Sequence, residues 1–273
     1  MWLNKMELKI ISVENKEVGK KRLPLQFKEA IRPDLIKRAV LALQSHERHP
    51  YGVDPRAGKK ASAKLSRRRR DYRGSYGLGI SRVPRKILSR RGTRFNWVGA
   101  FAPGMVGGRK AHPPKAEKIW GLKINKRERR KAIRSALAAT MEKEIVAKRG
   151  HKIPDNFPIV LESKFELITK TKELEEIFKK MNLKEELDRS SEKKVRAGKG
   201  KSRGRKYKKR TGPLLVVSKK CGLERSGKNI PGVEIVQVKR INAGLLAPGT
   251  IPGRLTLFTE AALDVLEKEK LFM

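Results

Sequence analysis

The chain predicts an α/β fold: a largely parallel sheet with helices on both faces, carrying a long irregular basic loop and a second basic extension. Three observations predict it. Segments of strand and helix character alternate through residues 1–48 and 118–273, which together make one globular α/β domain. One of them, "PLLVVS" (Pro213–Ser218), is a continuous apolar run of the kind a sheet covers on both faces. Two further segments, 49–117 and 190–212, are too basic and too poor in periodic apolar residues to supply a core. Removing them leaves roughly 190 residues, a normal size for one domain.

Each element has a local reason. Met6–Ser12 alternates as a strand. Pro33 opens a helix whose apolar face is Leu35, Ile36, Ala39, Val40 and Leu43, because proline's missing N–H costs nothing in a first turn. Asn125 with Glu128 reads as a capping box for a long helix with Ile133, Ala136, Leu137 and Thr140 on its buried stripe and Gly150 at its end. "FPIVLES" (Phe157–Ser163) is a strand, and Thr171 is the expected cap of a helix carrying Leu174, Ile177, Phe178 and Met181. "VEIVQV" (Val233–Val238) and "RLTLF" (Arg254–Phe258) are the last strands, and Thr259 caps a final helix through Leu266. Helices flank the long basic segment, so it leaves the domain and returns to it. About thirty residues each way reach at most roughly 100 Å.

Charge sets the function class. Sixty-eight Lys and Arg face 28 Asp and Glu across 273 residues, a formal net charge of +40. Such self-repulsion calls for a polyanionic partner, and nucleic acid answers it through counterion release. A membrane surface is not expected, since there is neither an amphipathic helix with its cations on one face nor a lipidation signal. No run of eighteen apolar residues occurs, and "MWLNKMELKIISVENKEVGKK" lacks the apolar block of a signal peptide. The single cysteine, Cys221, fits a reducing compartment, so the expected setting is cytoplasmic.

Sites for small-molecule chemistry are poorly supported. The four histidines, His46, His49, His112 and His151, make no ligand cluster, so no metal is expected. "GKGKS" (Gly198–Ser202) resembles the end of a phosphate-binding P-loop, but the required earlier glycine is Val195 and no strand precedes it. Cys221 has no acid–base partner near it in sequence. A doubly wound cofactor binder, such as an RNA-modifying enzyme, needs a glycine-rich turn after its first strand, and "VENKEVGKK" stands there instead. No cofactor is expected.

The basic segments point to RNA. Pro55–Lys115 holds eighteen Lys or Arg against one acid, Asp71, and Lys193–Arg210 holds eleven with none. The candidate phosphate contacts are Arg56, Lys59, Lys60, Arg67, Arg68, Arg69, Arg70, Arg73, Arg82, Arg85, Lys86, Arg90, Arg91, Arg94, Arg109, Lys110 and Lys115, with Arg203, Arg205, Lys206, Lys208, Lys209 and Arg210 in the second segment. Arginine dominates the first, as bidentate phosphate contact favours. Tyr72, Tyr76, Phe95, Trp97 and Phe101 are interleaved with it, suited to stacking on unpaired bases or packing on riboses. Glycines at 74, 77, 79, 92, 99, 104, 107 and 108 are expected to let the backbone approach a phosphate surface. Folded RNA presents both phosphates and flat bases. Duplex DNA would call for a groove-reading helix or strand, which is not evident.

Long stretches also carry a resemblance: "RPDLIKRAVLALQSHERHPYGVDPRAGKK" (Arg32–Lys60), "RVPR" (Arg82–Arg85), "RRGTR", "GGRKAHPPK" (Gly107–Lys115), "NKRERRKAIRSALAAT" (Asn125–Thr140) and "NIPGVEIVQVKRINAGLLAPGTIPGRLTLFTEAAL". Over nearly its whole length the chain resembles ribosomal protein L-four of the large subunit, in its archaeal form. The resemblance implies a non-catalytic structural protein of cytoplasmic ribosomes, bound to large-subunit (23S) rRNA and to neighbouring large-subunit proteins and supporting early assembly. It also implies a loop that threads through rRNA to the wall of the polypeptide exit tunnel. The tip at the constriction, beside the nascent peptide, would be Gly92, Thr93, Arg94, Phe95, Asn96 and Trp97.

Overall fold

A computed structural model describes residues 7–273. The chain forms two compact units, Met1–Glu47 with Gly121–Met273, and Arg48–Trp120. In chain order the strands are β1 (Glu7–Ile11), β2 (Glu17–Arg22), β3 (Arg85–Arg91), β4 (Arg94–Gly99), β5 (Ile159–Leu161), β6 (Lys193–Val195), β7 (Tyr207–Lys209), β8 (Leu214–Val217), β9 (Glu234–Gln237) and β10 (Thr256–Thr259). The α-helices are α1 (Pro33–His46), α2 (Lys126–Ala139), α3 (Lys143–Lys148), α4 (Thr171–Lys180), α5 (Lys184–Ser191), α6 (Leu223–Lys228), α7 (Ala243–Leu246) and α8 (Glu260–Lys268).

The globular unit is an α/β layer structure. Its sheet runs β2-β1-β5-β10-β8-β9, and every neighbouring pair except the edge hairpin β1–β2 is parallel. Successive side chains of a strand point to opposite faces, and the burial follows that period. Leu214 and Val216 join one core with Val160, Phe258 and the buried stripes of α1, α2 and α8. Leu215 and Val217 join the other with Ile159, Leu161, Leu257 and the stripes of α4 and α6. Both faces of β8 are thus fully covered, which is why "LLVV" tolerates no polar residue.

Several elements differ from the sequence-based expectation. The first strand is described from Glu7 to Ile11, one residue short of the expected Ser12; the expected start, Met6, lies outside the described residues. The helix after Asn125 stops at Ala139, and its Asn125 side chain makes no cap hydrogen bond. Buried Met141 packs into the first core, and the chain restarts as α3, so Gly150 (φ +96°) terminates α3 rather than α2. Thr171 is the first helical residue of α4 and not its cap; Lys170 holds the cap position, without a side-chain bond. Thr259 does cap its helix: its hydroxyl accepts from Ala262 N at 3.2 Å and donates to Glu166 at 2.7 Å.

This contrast is measurable. Thr259→Ala removes a cap and leaves the buried Glu166 carboxylate one donor short, so a loss of about 2 kcal/mol is expected. Thr171→Ala removes neither and is expected to change stability by less than about 0.5 kcal/mol. Urea midpoints of the two variants check the ordering.

Candidate nucleic-acid interface

The unit Arg48–Trp120 has no apolar core. None of its residues belongs to either hydrophobic cluster, and its only buried residues are Ser75, Ala100 and Ala102. It carries twenty Lys and Arg against three acids, Asp54, Asp71 and Glu117. What organises it is local: hydrogen bonds, turns and rings stacked on cations.

The segment expected to be irregular contains a hairpin. β3 and β4 pair antiparallel with Arg91 opposite Arg94, and the two-residue loop between them is Gly92-Thr93. Gly92 sits at φ +57°, the conformation that the first position of a type II′ turn requires. "RGTR" is the signal for this turn, and the apolar residues around it hide it because the ladder slips by one residue between Ile87 and Ser89. The residues expected at a tip, Gly92, Thr93, Arg94, Phe95, Asn96 and Trp97, are thus the turn and most of the second strand.

Residues two apart share a strand face, so Phe95 and Trp97 stack on one side of β4, with centroids 5.2 Å apart. Tyr72 meets Phe95 edge-on at 5.3 Å, and its hydroxyl accepts from Arg90 Nη1. That bond, with Arg73 beside it, holds the Tyr72 phenol below its ordinary range. Arg73 lies over the Tyr72 ring, Arg85 over Trp97 and Arg82 over Tyr76. Of the expected stacking residues, Tyr72, Phe95 and Trp97 therefore form a continuous strip with Arg73 and Arg85 over its rings, whereas Tyr76 meets only Arg82 and Phe101 joins no ring pair among the described residues. Tyr72, Tyr76 and Phe101 remain substantially exposed.

The arginine run is shaped by the one acid within it. Asp71 accepts from Ser66 Oγ (2.6 Å) and from Tyr72 N (2.8 Å), which hold its carboxyl below the usual range. Ser66 bridges Gly74 across this turn, and Arg70 and Arg73 take positive φ of 56° and 62°. Each costs on the order of 1 kcal/mol for a residue with a Cβ. Asp71 is spent on the turn, and Arg67, Arg68, Arg69 and Arg70 face outward.

Among the other expected contacts, Arg56, Lys59, Lys60, Lys86, Arg91, Arg94, Lys110 and Lys115 are exposed, whereas Arg85 and Arg109 are half-buried. The glycines have a nearer reason than phosphate approach at two positions. A Cβ on Gly99 would lie 2.1 Å from Met105 Cε, and one on Gly108 would lie 2.1 Å from the Ala102 carbonyl.

One ring was not singled out in the sequence. Trp120 is stacked on Tyr51 at 5.9 Å, with Arg48 3.8 Å and Lys118 4.3 Å from its centroid. Its indole N–H, Arg85 Nε and Ser75 Oγ are buried without a hydrogen-bond partner among the described residues. The W-to-Y pairing spans the whole segment in sequence, so nothing local reveals it.

The second basic segment belongs to the globular unit and forms a ribbon, β6 with β7, closed through "GKGKS". Arg203, Arg205, Lys206, Lys208, Lys209 and Arg210 are all exposed on it. At the carboxyl ends of the sheet strands, where doubly wound folds take ligands, the protein's own Glu166 accepts from Ser218 N (2.8 Å), Ser218 Oγ (2.6 Å) and Thr259. Among the described residues, no group of three His, Cys, Asp or Glu is placed to hold a metal. Burial pushes the Cys221 thiol up, away from thiolate chemistry.

Comparison with known proteins matches this sequence to one family. Residues 22–269 fit the ribosomal protein L4/L1 family. The chain is 52% identical over 268 residues to large ribosomal subunit protein uL4 of Nanoarchaeum equitans, covering 98% of this chain and all of that protein. It is 43% identical to the Archaeoglobus fulgidus protein of the same name (96% of this chain, 98% of the relative) and 42% identical to that of Methanopyrus kandleri, with the same coverage. A match spanning both the parallel sheet and the coreless basic unit, at this identity and nearly full length, places the chain in the ribosomal protein L4/L1 family.

Proposed function

We propose that this protein is a structural, non-catalytic constituent of the large ribosomal subunit in the cytoplasm. In this reading it binds large-subunit (23S) rRNA and neighbouring large-subunit proteins, supports early assembly, and sets the β3–β4 hairpin at the wall of the polypeptide exit tunnel beside the nascent peptide. One observation carries it: Arg48–Trp120 has a dense cationic surface and no apolar core. Phosphates neutralise this surface charge, and bases and riboses offer flat faces to its exposed rings.

Burial inside this unit is too small to offset the chain entropy of ordering it, so RNA contacts must supply the difference. Trypsin is therefore expected to cut Arg48–Trp120 rapidly in the free protein and to spare it in intact large subunits. The protein is also expected to co-migrate with the large subunit on a sucrose gradient through a high-salt wash. Equal cleavage in both states, or loss from the subunit at moderate salt, counts against the reading.

A further inference from the structure

At the foot of the β6–β7 ribbon lies a cleft of about 500 Å³, lined by residues from α5, the ribbon, the chain around Arg149 and the Pro248–Ile251 turn. Its charge is one-sided. Glu192 is the lining's single carboxylate, and Arg210 binds it at 3.0 Å. Just beneath, Glu186 is consumed by Arg189 (2.6 Å), His151 (2.6 Å) and Lys152 N (2.9 Å). No acid is left for Arg149, Lys194 or Lys208 among the described residues.

The ladder register sharpens this. Lys193 stands opposite Lys209 and Lys194 opposite Lys208, two successive like-charge cross-strand pairs in a three-residue ladder. Such pairs destabilise a two-stranded ribbon, which is marginal by itself. Among the described residues Arg149 donates only to carbonyls, those of Ile251 and Pro248. Burial, with Arg254 and Arg189 nearby, brings its guanidinium down to about 10. A desolvated cation facing other cations in an open cleft is stabilised by an anion.

We propose that this cleft is a phosphate clamp, in which Arg149, Lys194 and Lys208 share one backbone phosphate of an RNA strand that continues along the ribbon. The anion is polymeric because the cations do not stop at the cleft: Lys193–Arg210 carries eleven of them, with no acid, to the ribbon's far end. Tyr207, exposed beside Lys206, adds a flat face that suits a nucleotide rather than an acidic peptide. The clamp rests on the rRNA reading above, and makes the ribbon's pairing conditional on RNA.

Filter binding of the full chain to large-subunit rRNA over a potassium chloride series tests it, read as the slope of log K against log salt. Lys194→Gln with Lys208→Gln is expected to flatten the slope by about one, with an affinity loss of about fivefold at 0.15 M salt. Adding Arg149→Gln to the pair is expected to flatten it no further, because all three serve one phosphate. Both lysines are exposed, so the pair keeps the test sound even if Arg149→Gln impairs folding. An unchanged slope, or a flattening of two or more in the lysine pair, overturns the shared clamp. Arg67→Gln with Arg68→Gln, run in parallel, separates the two readings. If that variant flattens the slope and the lysine pair does not, the clamp alone falls. If the lysine pair flattens it and the arginine variant does not, the clamp stands and the arm reading falls.

Discussion

Replacing Arg67, Arg68, Arg69 and Arg70 together with glutamine is expected to weaken binding to large-subunit rRNA on the order of a thousandfold at 0.15 M monovalent salt. Each phosphate contact contributes about 0.9 to the salt slope, hence roughly 0.7 decades at that concentration, and four contacts give about three. The estimate applies because all four side chains are exposed and none is engaged in an ion pair among the described residues. The nearest acid, Asp71, is committed to Ser66 and to the Tyr72 amide. The slope is expected to fall by three to four, which filter binding over a salt series reads directly. The four-lysine variant restores most of the slope, since counterion release follows charge, while losing the bidentate geometry. A glutamine variant that binds as the parent does would remove the arginine run from the interface.

The largest expected effect on the fold lies in the globular unit. Glu186→Ala is expected to lower its stability by about 3–5 kcal/mol, because breaking a buried ion pair leaves the remaining partner uncompensated. The Glu186 side chain is fully buried, and its removal strands Arg189, His151 and the Lys152 amide together. A urea midpoint that falls with the slope unchanged reports this. The same cluster sets an acid limit. Burial alone would raise the Glu186 carboxyl, but hydrogen bonds from Arg189 and His151 outweigh it and hold the group below its usual range. Burial holds His151 below its ordinary 6.5, against the pull of Glu186. In both cases the unfolded chain takes up the proton first as pH falls. Stability is therefore complete above about 6.5, declines first through His151, and declines again from the ordinary carboxylate range downward through Glu186. Glu186→Ala is expected to weaken the second decline, which melting temperatures across pH 3–8 read.

Much of this was legible because it depends on periods and on charge. The alternation of strands and helices, the both-faced burial of Leu214–Val217 and the stripe Leu174, Ile177 and Phe178 on α4 follow from side-chain direction, which is local. Caps are less legible. Asn125 and Thr171 are cap-type residues without cap bonds, whereas Thr259 caps because Glu166, distant in sequence, orients its hydroxyl. The end of α2 is unmarked in the sequence, since no breaker stands at Thr140; burial of Met141 turns the chain there. The hairpin within the basic arm carried a turn signal in "RGTR", obscured by a one-residue slip of the ladder.

By itself the sequence determined an α/β domain of parallel strands, an excess of forty positive charges and the two segments that hold most of it, since composition and periodicity need no knowledge of neighbours. Only the tertiary structure decided which cations lack a counter-charge. Glu186, Glu192 and Asp71 are each taken by a partner, so that Arg67–Arg70, Arg149, Lys194 and Lys208 face solvent or a cleft without one. The physical reason is that a charge is neutralised by what lies within a few ångströms in space, and chain order does not record that distance.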